Sequence, residues 1–140
     1  MIIADTGFFY ALMNSKDKYH QQSVEAVKIL KSTLITTYPV ITETCHLLLQ
    51  RQGTKYQTKF LKSLDQGFAR IFQLETKHLS RIIQLTEQYA DLPMDLADAS
   101  LVILAEELGH GRIFSTDQRD FGIYRWKNTK PFQNLLIPSP

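Results

Sequence analysis

The stretch Ile2-Ile3-Ala4-Asp5-Thr6, at the beginning of the sequence, decides the fold class. Three apolar residues followed at once by an acid and a hydroxyl are typical of a buried parallel strand that runs straight into a helix N-terminus. Asp is a favoured first residue there because its carboxylate accepts hydrogen bonds from the free N–H groups of the first turn. The segment therefore predicts a parallel sheet with Asp5 at the carboxyl end of one strand.

Short apolar segments and amphipathic segments alternate along the rest of the chain. Further strands are predicted at Leu34–Thr37 and at residues 68–74, 112–115 and 135–137. Helices are predicted at residues 7–13, 20–31, 39–50, 55–64, 76–89 and 94–108, with glycines after several of them as helix stops. This alternation predicts an α/β fold of three layers, in which a central parallel sheet of four to five strands is covered by helices on both faces.

Length and composition limit the class of protein. With 140 residues, 44% of them hydrophobic, the chain predicts a single domain spanning residues 1–140. The formal net charge of +2 is compatible with nucleic acid binding but does not require it. The single cysteine, Cys45, excludes an internal disulfide, and no zinc-type Cys or His spacing occurs, so we expect a cytoplasmic protein without zinc, signal peptide or membrane segment.

Four acids are predicted to share the edge of the sheet where the strands end. Asp5 ends the first strand, Glu43 follows the second by less than two helical turns, Asp98 lies near the start of the helix at 94–108, and Asp117 follows the fourth strand. Ligands of open α/β sheets bind at this carboxyl edge. Carboxylates that converge without cations repel each other, and oxygen ligands favour Mg²⁺ or Mn²⁺. The pattern predicts a metal site for phosphodiester hydrolysis.

Each acid also has a simpler interpretation. Asp5 and Asp117 could act only as helix N-caps, and Glu43 could only complement a helix N-terminus. Asp95 and Asp98 lie three residues apart on one helical face. Asp95 is the better N-cap candidate, which leaves Asp98, one turn further, as the favoured metal ligand.

Several segments of the sequence together resemble the PIN-domain family, in particular its VapC-like ribonucleases. They are Ile3-Ala4-Asp5-Thr6-Gly7, Glu43, Asp91-Leu92-Pro93-Met94-Asp95-Leu96-Ala97-Asp98-Ala99 and Ser115-Thr116-Asp117-Gln118-Arg119-Asp120-Phe121. The most specific part is the Ala-Asp-Ala helix followed, after a strand, by Thr-Asp-x-x-Asp-Phe. Ser115 stands where relatives commonly have Thr, which keeps the hydroxyl.

The resemblance implies a PIN-like fold, Mg²⁺ or Mn²⁺ as cofactor, an RNA substrate and a homodimer. It also implies a small antitoxin protein as partner, as is usual for VapC-like toxins. By matching position, Asp5, Glu43, Asp98 and Asp117 are the catalytic, metal-binding acids. The resemblance further assigns supporting roles to Thr6, Asp95, Ser115 and Asp120.

A basic and aromatic stretch follows Asp117. The cations Arg119, Arg125, Lys127 and Lys130 alternate with the aromatic residues Phe121, Tyr124, Trp126 and Phe132. One interpretation is RNA binding, with the cations on phosphates and the rings stacked on bases. The other is that the rings pack in the core and the cations are solvated.

Individual residues argue against two other catalytic functions. A phosphatase of the haloacid dehalogenase type would need a second acid two residues after Asp5, where this chain has Gly7. Cys45-His46 does not form a nucleophile pair, because adjacent helical residues point about 100° apart, and a reduced core cysteine is the preferred interpretation. A non-catalytic RNA-binding or protein-binding module on the same fold remains the alternative.

Overall fold

The computed structural model of the protein describes residues 1–138, so the last two residues of the predicted domain lie outside it. Seven strands are present in this range: β1 (Ile2–Ala4), β2 (Leu34–Thr37), β3 (Ala69–Phe72), β4 (Arg112–Phe114), β5 (Arg125–Trp126), β6 (Lys130–Pro131) and β7 (Gln133–Asn134). Five of them form the main sheet, in which every pair of neighbours runs parallel. Strands β5 and β6 form a separate antiparallel hairpin.

Helices cover the sheet. They are α1 (Thr6–Met13), α2 (His20–Ile29), α3 (Tyr38–Gln52), α4 (Thr54–Asp65), α5 (Leu79–Gln88), α6 (Leu96–Leu108) and α7 (Gln118–Ile123). A short 3₁₀ turn, Thr76–His78, leads into α5. The predicted fold class, three layers around a parallel sheet of four to five strands, is confirmed. Within residues 1–138 no helix combines the length and apolar character needed to cross a membrane.

The strand order explains why one edge of the sheet can hold a site. The order is β3-β2-β1-β4-β7, so the chain first moves from β1 to one side and later returns to place β4 on the other side of β1. The carboxyl ends of β1 and β4 thus flank the position where the strand order reverses, and crevices form there in open α/β sheets. Asp5 follows β1, and Asp117 lies just after β4.

Burial in the core explains the apolar runs. All three residues of β1 are buried. Phe8 and Phe9 on α1 are buried as well, with ring centroids 5.1 Å from Phe114 and 5.2 Å from Phe60, respectively. Residues 99–105 of α6 are buried throughout. This helix packs against the strands β1 and β2 and against the helices α3 and α5.

The prediction of the fifth strand at residues 135–137 is wrong by two residues. The strand is β7, whose Gln133 and Asn134 pair with Arg112 and Ile113 of β4. The Asn134 side chain explains why the strand ends there. Its Oδ1 accepts hydrogen bonds from the Leu136 and Ile137 N–H groups, 3.0 and 3.4 Å away, and this turns the chain out of the sheet.

Several boundaries differ from the prediction. Strand β3 is shorter than residues 68–74, and the predicted helix at 76–89 begins as the 3₁₀ turn. Helix α6 begins at Leu96 instead of residue 94, because Asp95 takes the N-cap position. The sequence predicted a helical turn after Asp117 only as the N-cap alternative for that acid, and the β5–β6 hairpin was not predicted. The Asp117 carboxylate does cap a helix there, α7.

Candidate active site

Elements from across the sequence meet in a cavity of about 210 Å³ at the carboxyl edge of the sheet. All four predicted acids line it. The lining residues are Asp5, Thr6, Gly7, Val40, Glu43, Leu47, Asp98, Leu101, Thr116 and Asp117. Within residues 1–138, no Lys, Arg or His belongs to this lining. The structure therefore brings the acidic quartet together around one space without a cation in its wall.

Asp5 is held by hydrogen bonds on both of its carboxylate oxygens. Oδ1 accepts from the Phe8 N–H, 3.0 Å away, which caps α1, and Oδ2 accepts from the Ser115 hydroxyl. Burial raises the pKa of Asp5 to about 7. The two hydrogen bonds lower that pKa, whereas the charges of Asp117 and Glu43 raise it. The capping role predicted as an alternative is real, and it coexists with a place in the acidic cavity.

Asp98 lies in the first turn of α6 and pairs with a residue that the sequence analysis did not assign to the site. The Tyr124 hydroxyl donates a hydrogen bond to Asp98 Oδ2, 2.9 Å away. Burial, and next the charge of Asp95, raise the pKa of Asp98 to about 8, while the Tyr124 hydrogen bond lowers it. Burial and the neighbouring Asp98 raise the pKa of Tyr124 in turn. Tyr124 thus fixes the orientation of this carboxylate.

Glu43 projects from the second turn of α3 into the same cavity. Partial burial raises its pKa, and the negative charge of Asp95 raises it further. The nearby hydroxyl of Thr6, a buried residue at the start of α1, lowers it. The predicted supporting position of Thr6 agrees with this contact.

Asp117 lies where β4 gives way to α7. Its Oδ1 accepts from the Asp120 N–H, 2.9 Å away, and its own N–H donates to the Ser115 hydroxyl oxygen at 2.9 Å. Burial raises the pKa of Asp117. The Asp120 N–H and the charge of Arg119 lower it, and the Asp120 carboxyl group raises it.

The predicted supporting residues all contact members of the quartet. The buried Ser115 hydroxyl joins Asp5 to Asp117, because it donates to the first and accepts from the second. Asp95 Oδ1 accepts from the Asp98 N–H at 2.8 Å, so Asp95 is the N-cap of α6, as the sequence predicted. Asp120 lies one turn beyond Asp117.

The four predicted RNA-binding cations lie in two places: Arg119 is on α7, whereas Arg125, Lys127 and Lys130 are on or beside the β5–β6 hairpin. Arg119 is exposed on α7 beside Asp117 and lies 3.4 Å from the Asp120 carboxylate. Arg125 donates to the carbonyl groups of residues 122–124 at the end of α7. The Lys127 N–H donates to Glu106, which lies eight residues beyond Asp98, about 12 Å along the axis of α6. Of the four, the structure places Arg119 beside the acidic cavity.

The aromatic residues of the same stretch are mostly packed inside. Tyr124, Phe121 and Trp126 are 0%, 3% and 8% exposed. Phe132 is partly buried, with its ring centroid 5.2 Å from that of Phe121. The packing interpretation is therefore correct for these rings, and Phe121, Tyr124 and Trp126 offer no free surface to a nucleobase.

The donor set of the cavity fits a hard cation that keeps part of its water shell. Among residues 1–138, no three Asp, Glu, His or Cys side chains are arranged to hold an ion directly. One oxygen of Asp5, of Asp98 and of Asp117 accepts a hydrogen bond from a protein donor. Mg²⁺ usually retains several water ligands, and 210 Å³ equals roughly seven times the volume of a water molecule of about 30 Å³.

The chain resembles known proteins in sequence and in fold. The sequence model of the PIN domain family matches residues 2–126. Ribonuclease VapC26 of Mycobacterium tuberculosis (strain ATCC 25618 / H37Rv) is 23% identical over 124 residues, which cover 89% of this chain and 92% of the relative. The crystal structure of Mycobacterium tuberculosis VapC20, described as a Sarcin-Ricin loop cleaving toxin, shares the fold with a TM-score of 0.79. It is 18% identical and covers 85% of this chain and 92% of that one.

The family match and the cavity involve the same residues. The matched range begins with β1 and ends with β5, so it contains the whole acidic quartet together with Ser115 and Tyr124. The solved relative has the same arrangement of strands and helices over most of both chains. On this evidence the chain belongs to the PIN domain family.

Proposed function

We propose that this protein is an endoribonuclease that hydrolyses RNA phosphodiester bonds with Mg²⁺ or Mn²⁺ as cofactor, and that it is the toxin of a toxin–antitoxin pair. The observation that carries the proposal is the meeting of Asp5, Glu43, Asp98 and Asp117 at one cavity, whose lining within residues 1–138 includes no Lys, Arg or His. The names of the two relatives, a ribonuclease and a Sarcin-Ricin loop cleaving toxin, support the same activity.

The electrostatics of the cavity support a role for a dication. The pKa values of Asp5 and Asp98 are raised to about 7 and about 8, so both ionised forms are disfavoured in the protein alone. A positive ion would favour the ionised forms and relieve the mutual repulsion. Bound there, Mg²⁺ or Mn²⁺ would lower the pKa of a coordinated water and offset charge on the leaving oxygen of a phosphodiester.

The residues of the chain have distinct roles in this proposal. Asp5, Glu43, Asp98 and Asp117 hold the ion. Other side chains position them: Ser115 fixes Asp5, Thr6 contacts Glu43, and Tyr124 orients Asp98. Two further acids support the quartet without holding the ion. Asp95 caps α6 by accepting from the Asp98 N–H, and the Asp120 N–H donates to the Asp117 carboxylate.

The RNA strand needs positive charge outside the acidic cavity. Arg119 is the favoured phosphate contact, because it is exposed and lies two residues after Asp117. We also propose phosphate contacts farther from the acidic cavity, by Arg125, Lys127 and Lys130. The ammonium groups of Lys127 and Lys130 lie 5.9 and 5.7 Å from the centre of the Trp126 ring, on the hairpin that leads away from the cavity.

The proposed toxin role implies further partners. We infer a small antitoxin protein that blocks the activity, a homodimer as the working form, and a cytoplasmic location. Co-expression of a neighbouring small open reading frame, followed by co-purification and a cleavage assay, tests the first inference. Sedimentation equilibrium of the purified chain tests the second.

The central test is RNA cleavage by the purified chain. We expect fragments from total RNA in the presence of Mn²⁺, no cleavage in EDTA, and recovery when Mn²⁺ is restored. Asp98→Asn should abolish cleavage while its circular dichroism spectrum stays that of the parent. Cleavage that persists in EDTA would contradict the metal mechanism, and full activity of Asp98→Asn would remove Asp98 from the site.

A non-catalytic RNA-binding or protein-binding module on the same fold is the second candidate. The observation that favours it is that no three acids within residues 1–138 are arranged to hold an ion directly. The two candidates separate in the same assay, because a module of this kind would bind RNA but leave it intact at any concentration of Mn²⁺ or Mg²⁺.

A further inference from the structure

A second cavity adjoins the acidic one. It is a groove of about 610 Å³ between α3 and the beginning of α6. Glu43 belongs to the walls of both cavities, so the two lie side by side at this residue. The volume is within the range of about 300–1,000 Å³ that is common for small-molecule sites.

The walls of this groove offer flat and apolar surface. Residues Tyr38, Thr42 and His46 of α3 are spaced four apart, so they form one face of the helix, and all three line the groove. Leu96, at the start of α6, belongs to the opposite wall. The Tyr38 ring is 54% exposed and Leu96 is 52% exposed, although most large apolar side chains of the fold are buried.

The charges of the groove select the kind of group that can enter it. Among the residues described, those lining the groove include two acids, Glu43 and Asp95, and one histidine, His46, but no Lys or Arg. An anionic phosphate would therefore be repelled. A planar, uncharged group with N–H donors on its edge would match an aromatic ring, an apolar wall and carboxylate acceptors. Nucleobases have these features, and acids accept hydrogen bonds from base amino groups.

We propose that this groove binds a nucleobase of the RNA substrate next to the phosphate that is cleaved, with Tyr38 as the stacking surface and Leu96 on the opposite side. The inference rests on the proposed ribonuclease function. The shared Glu43 places the base beside the acidic cavity, while the sugar–phosphate chain passes toward the acids and Arg119. Single-stranded or unpaired RNA is the substrate class, because a paired base could not enter the groove.

The test measures RNA binding separately from cleavage. In the Asp98→Asn background with Mg²⁺, the affinity for a fluorescein-labelled single-stranded RNA hexamer of mixed sequence is measured by fluorescence anisotropy. We expect Tyr38→Ala to weaken binding about 5- to 150-fold, since removal of one stacking ring has effects of this size. Tyr38→Phe should retain most of the affinity. Tyr56→Ala is the matched control, because Tyr56 is 38% exposed on α4 and lines neither cavity.

A fluorescence measurement reports stacking directly. In Tyr38→Trp, RNA binding should quench the emission of the introduced indole. The one native tryptophan, Trp126, is 8% exposed and lies on the distant hairpin, so its emission should stay constant. On cleavable RNA, Tyr38→Ala should raise KM more than it lowers kcat, as expected when ground-state binding is lost.

The outcomes separate the failure of this inference from the failure of the proposed function. Metal-dependent cleavage with unchanged RNA affinity in Tyr38→Ala would overturn the nucleobase site alone. Absence of both RNA binding and cleavage in the parent protein would overturn the two together. If Tyr38→Ala converts a dimer to a monomer in sedimentation velocity without changing RNA affinity, the groove is a contact between subunits and the inference is wrong.

Discussion

The two ends of α6 carry carboxylates in opposite situations. At the carboxyl end, Glu106 accepts hydrogen bonds from Arg81 Nε and Nη2, at 3.0 and 2.7 Å, and from the Lys127 N–H. Its neighbour Glu107 lies 3.2 Å from the His78 ring. At the amino end, Asp98 accepts from the neutral Tyr124 hydroxyl and faces three other acids across the cavity.

The contrast separates acids that stabilise the fold from acids that serve a site. A negative charge destabilises a helix at its carboxyl end and stabilises it at its amino end. For helix stability alone, Glu106 therefore needs a neighbouring cation, whereas Asp98 does not. Arg81 supplies it, and the Glu106 hydrogen bond raises the pKa of the Arg81 guanidinium. Burial and the charge of Asp95 raise the pKa of Asp98 instead, and no Lys, Arg or His among the described residues lines its cavity.

The largest expected effect concerns catalysis. Asp98→Asn should lower the rate of metal-dependent RNA cleavage at least about 100-fold, because the substitution removes a charged ligand of the ion. Glu107→Gln is the matched control on the same helix, and it should cleave at the rate of the parent. Initial rates on a labelled RNA in Mn²⁺ give the comparison. Equal losses in the two variants would show that the ends of α6 do not differ in function.

The second effect concerns stability at the carboxyl end. Glu106→Gln should lower the free energy of unfolding by about 2 kcal/mol, because charge-assisted hydrogen bonds to the partly buried Arg81 side chain are lost. Glu25→Gln removes an exposed pair with Lys28 and should cost less than about 0.5 kcal/mol. Urea unfolding measures both. A change in Glu106→Gln as small as that of the control would contradict a structural role for this pair.

A third substitution tests how Asp98 is positioned. Tyr124→Phe keeps the buried ring and removes the hydroxyl that donates to Asp98. We expect the Mn²⁺ concentration for half-maximal cleavage to rise about tenfold, as is common when a residue that orients a metal ligand is changed. Tyr89→Phe is the control, because its hydroxyl accepts from the Arg125 N–H of the hairpin and not from the acids. An unchanged Mn²⁺ requirement in Tyr124→Phe would remove Tyr124 from the site.

The smallest expected effect is a dependence of stability on pH. The pKa values of Asp5 and Asp98 are about 7 and about 8 in the folded protein, above their usual value of 3.8, so the folded state binds more protons between about pH 4 and pH 8. Stability should therefore fall as pH rises through this window. In EDTA, Tm at pH 8 should be at least about 3 °C below Tm at pH 5, or roughly 1 kcal/mol.

Two further thermal unfolding experiments test the same dependence of stability on pH. Millimolar Mn²⁺ should raise Tm more at pH 8 than at pH 5, because the ion binds the ionised acids. Asp98→Asn should flatten the dependence on pH in EDTA. A Tm in EDTA that rises steadily from pH 5 to pH 8 would show that these carboxyl groups are not perturbed as the structure indicates.

The fold and the quartet were predictable because they depend on local patterns. Three apolar residues before Asp5 predict a buried strand, and parallel strands end at a common edge, so acids that follow strands meet there. Asp95 could be identified as the N-cap of α6 because capping preferences act within one turn. The supporting role of Ser115 was implied only by the resemblance to the PIN-domain family. In the structure β1 and β4 are neighbours, and the Ser115 hydroxyl donates to Asp5.

Other features depend on contacts that leave no pattern in the sequence. Tyr124 lies 26 residues after Asp98. In the sequence it stands among aromatic and basic residues, a pattern that predicts core packing and RNA binding equally well. The position of the β5–β6 hairpin depends on hydrogen bonds between distant residues, from the Lys127 N–H to Glu106 and from Arg81 to Asn128. The position of β7 depends on the Asn134 turn, since the apolar residues after it resemble a strand.

That turn has a consequence for solubility. Strand β7 is an edge of the main sheet, and exposed edges are templates on which other chains add strands and aggregate. Here the edge strand is two residues long. The next amide group, that of Leu135, pairs with Ile113 of β4, and Asn134 Oδ1 accepts from the Leu136 and Ile137 N–H groups. An incoming strand finds almost no unpaired backbone to extend, so this border of the sheet is a poor template for fibril-like growth.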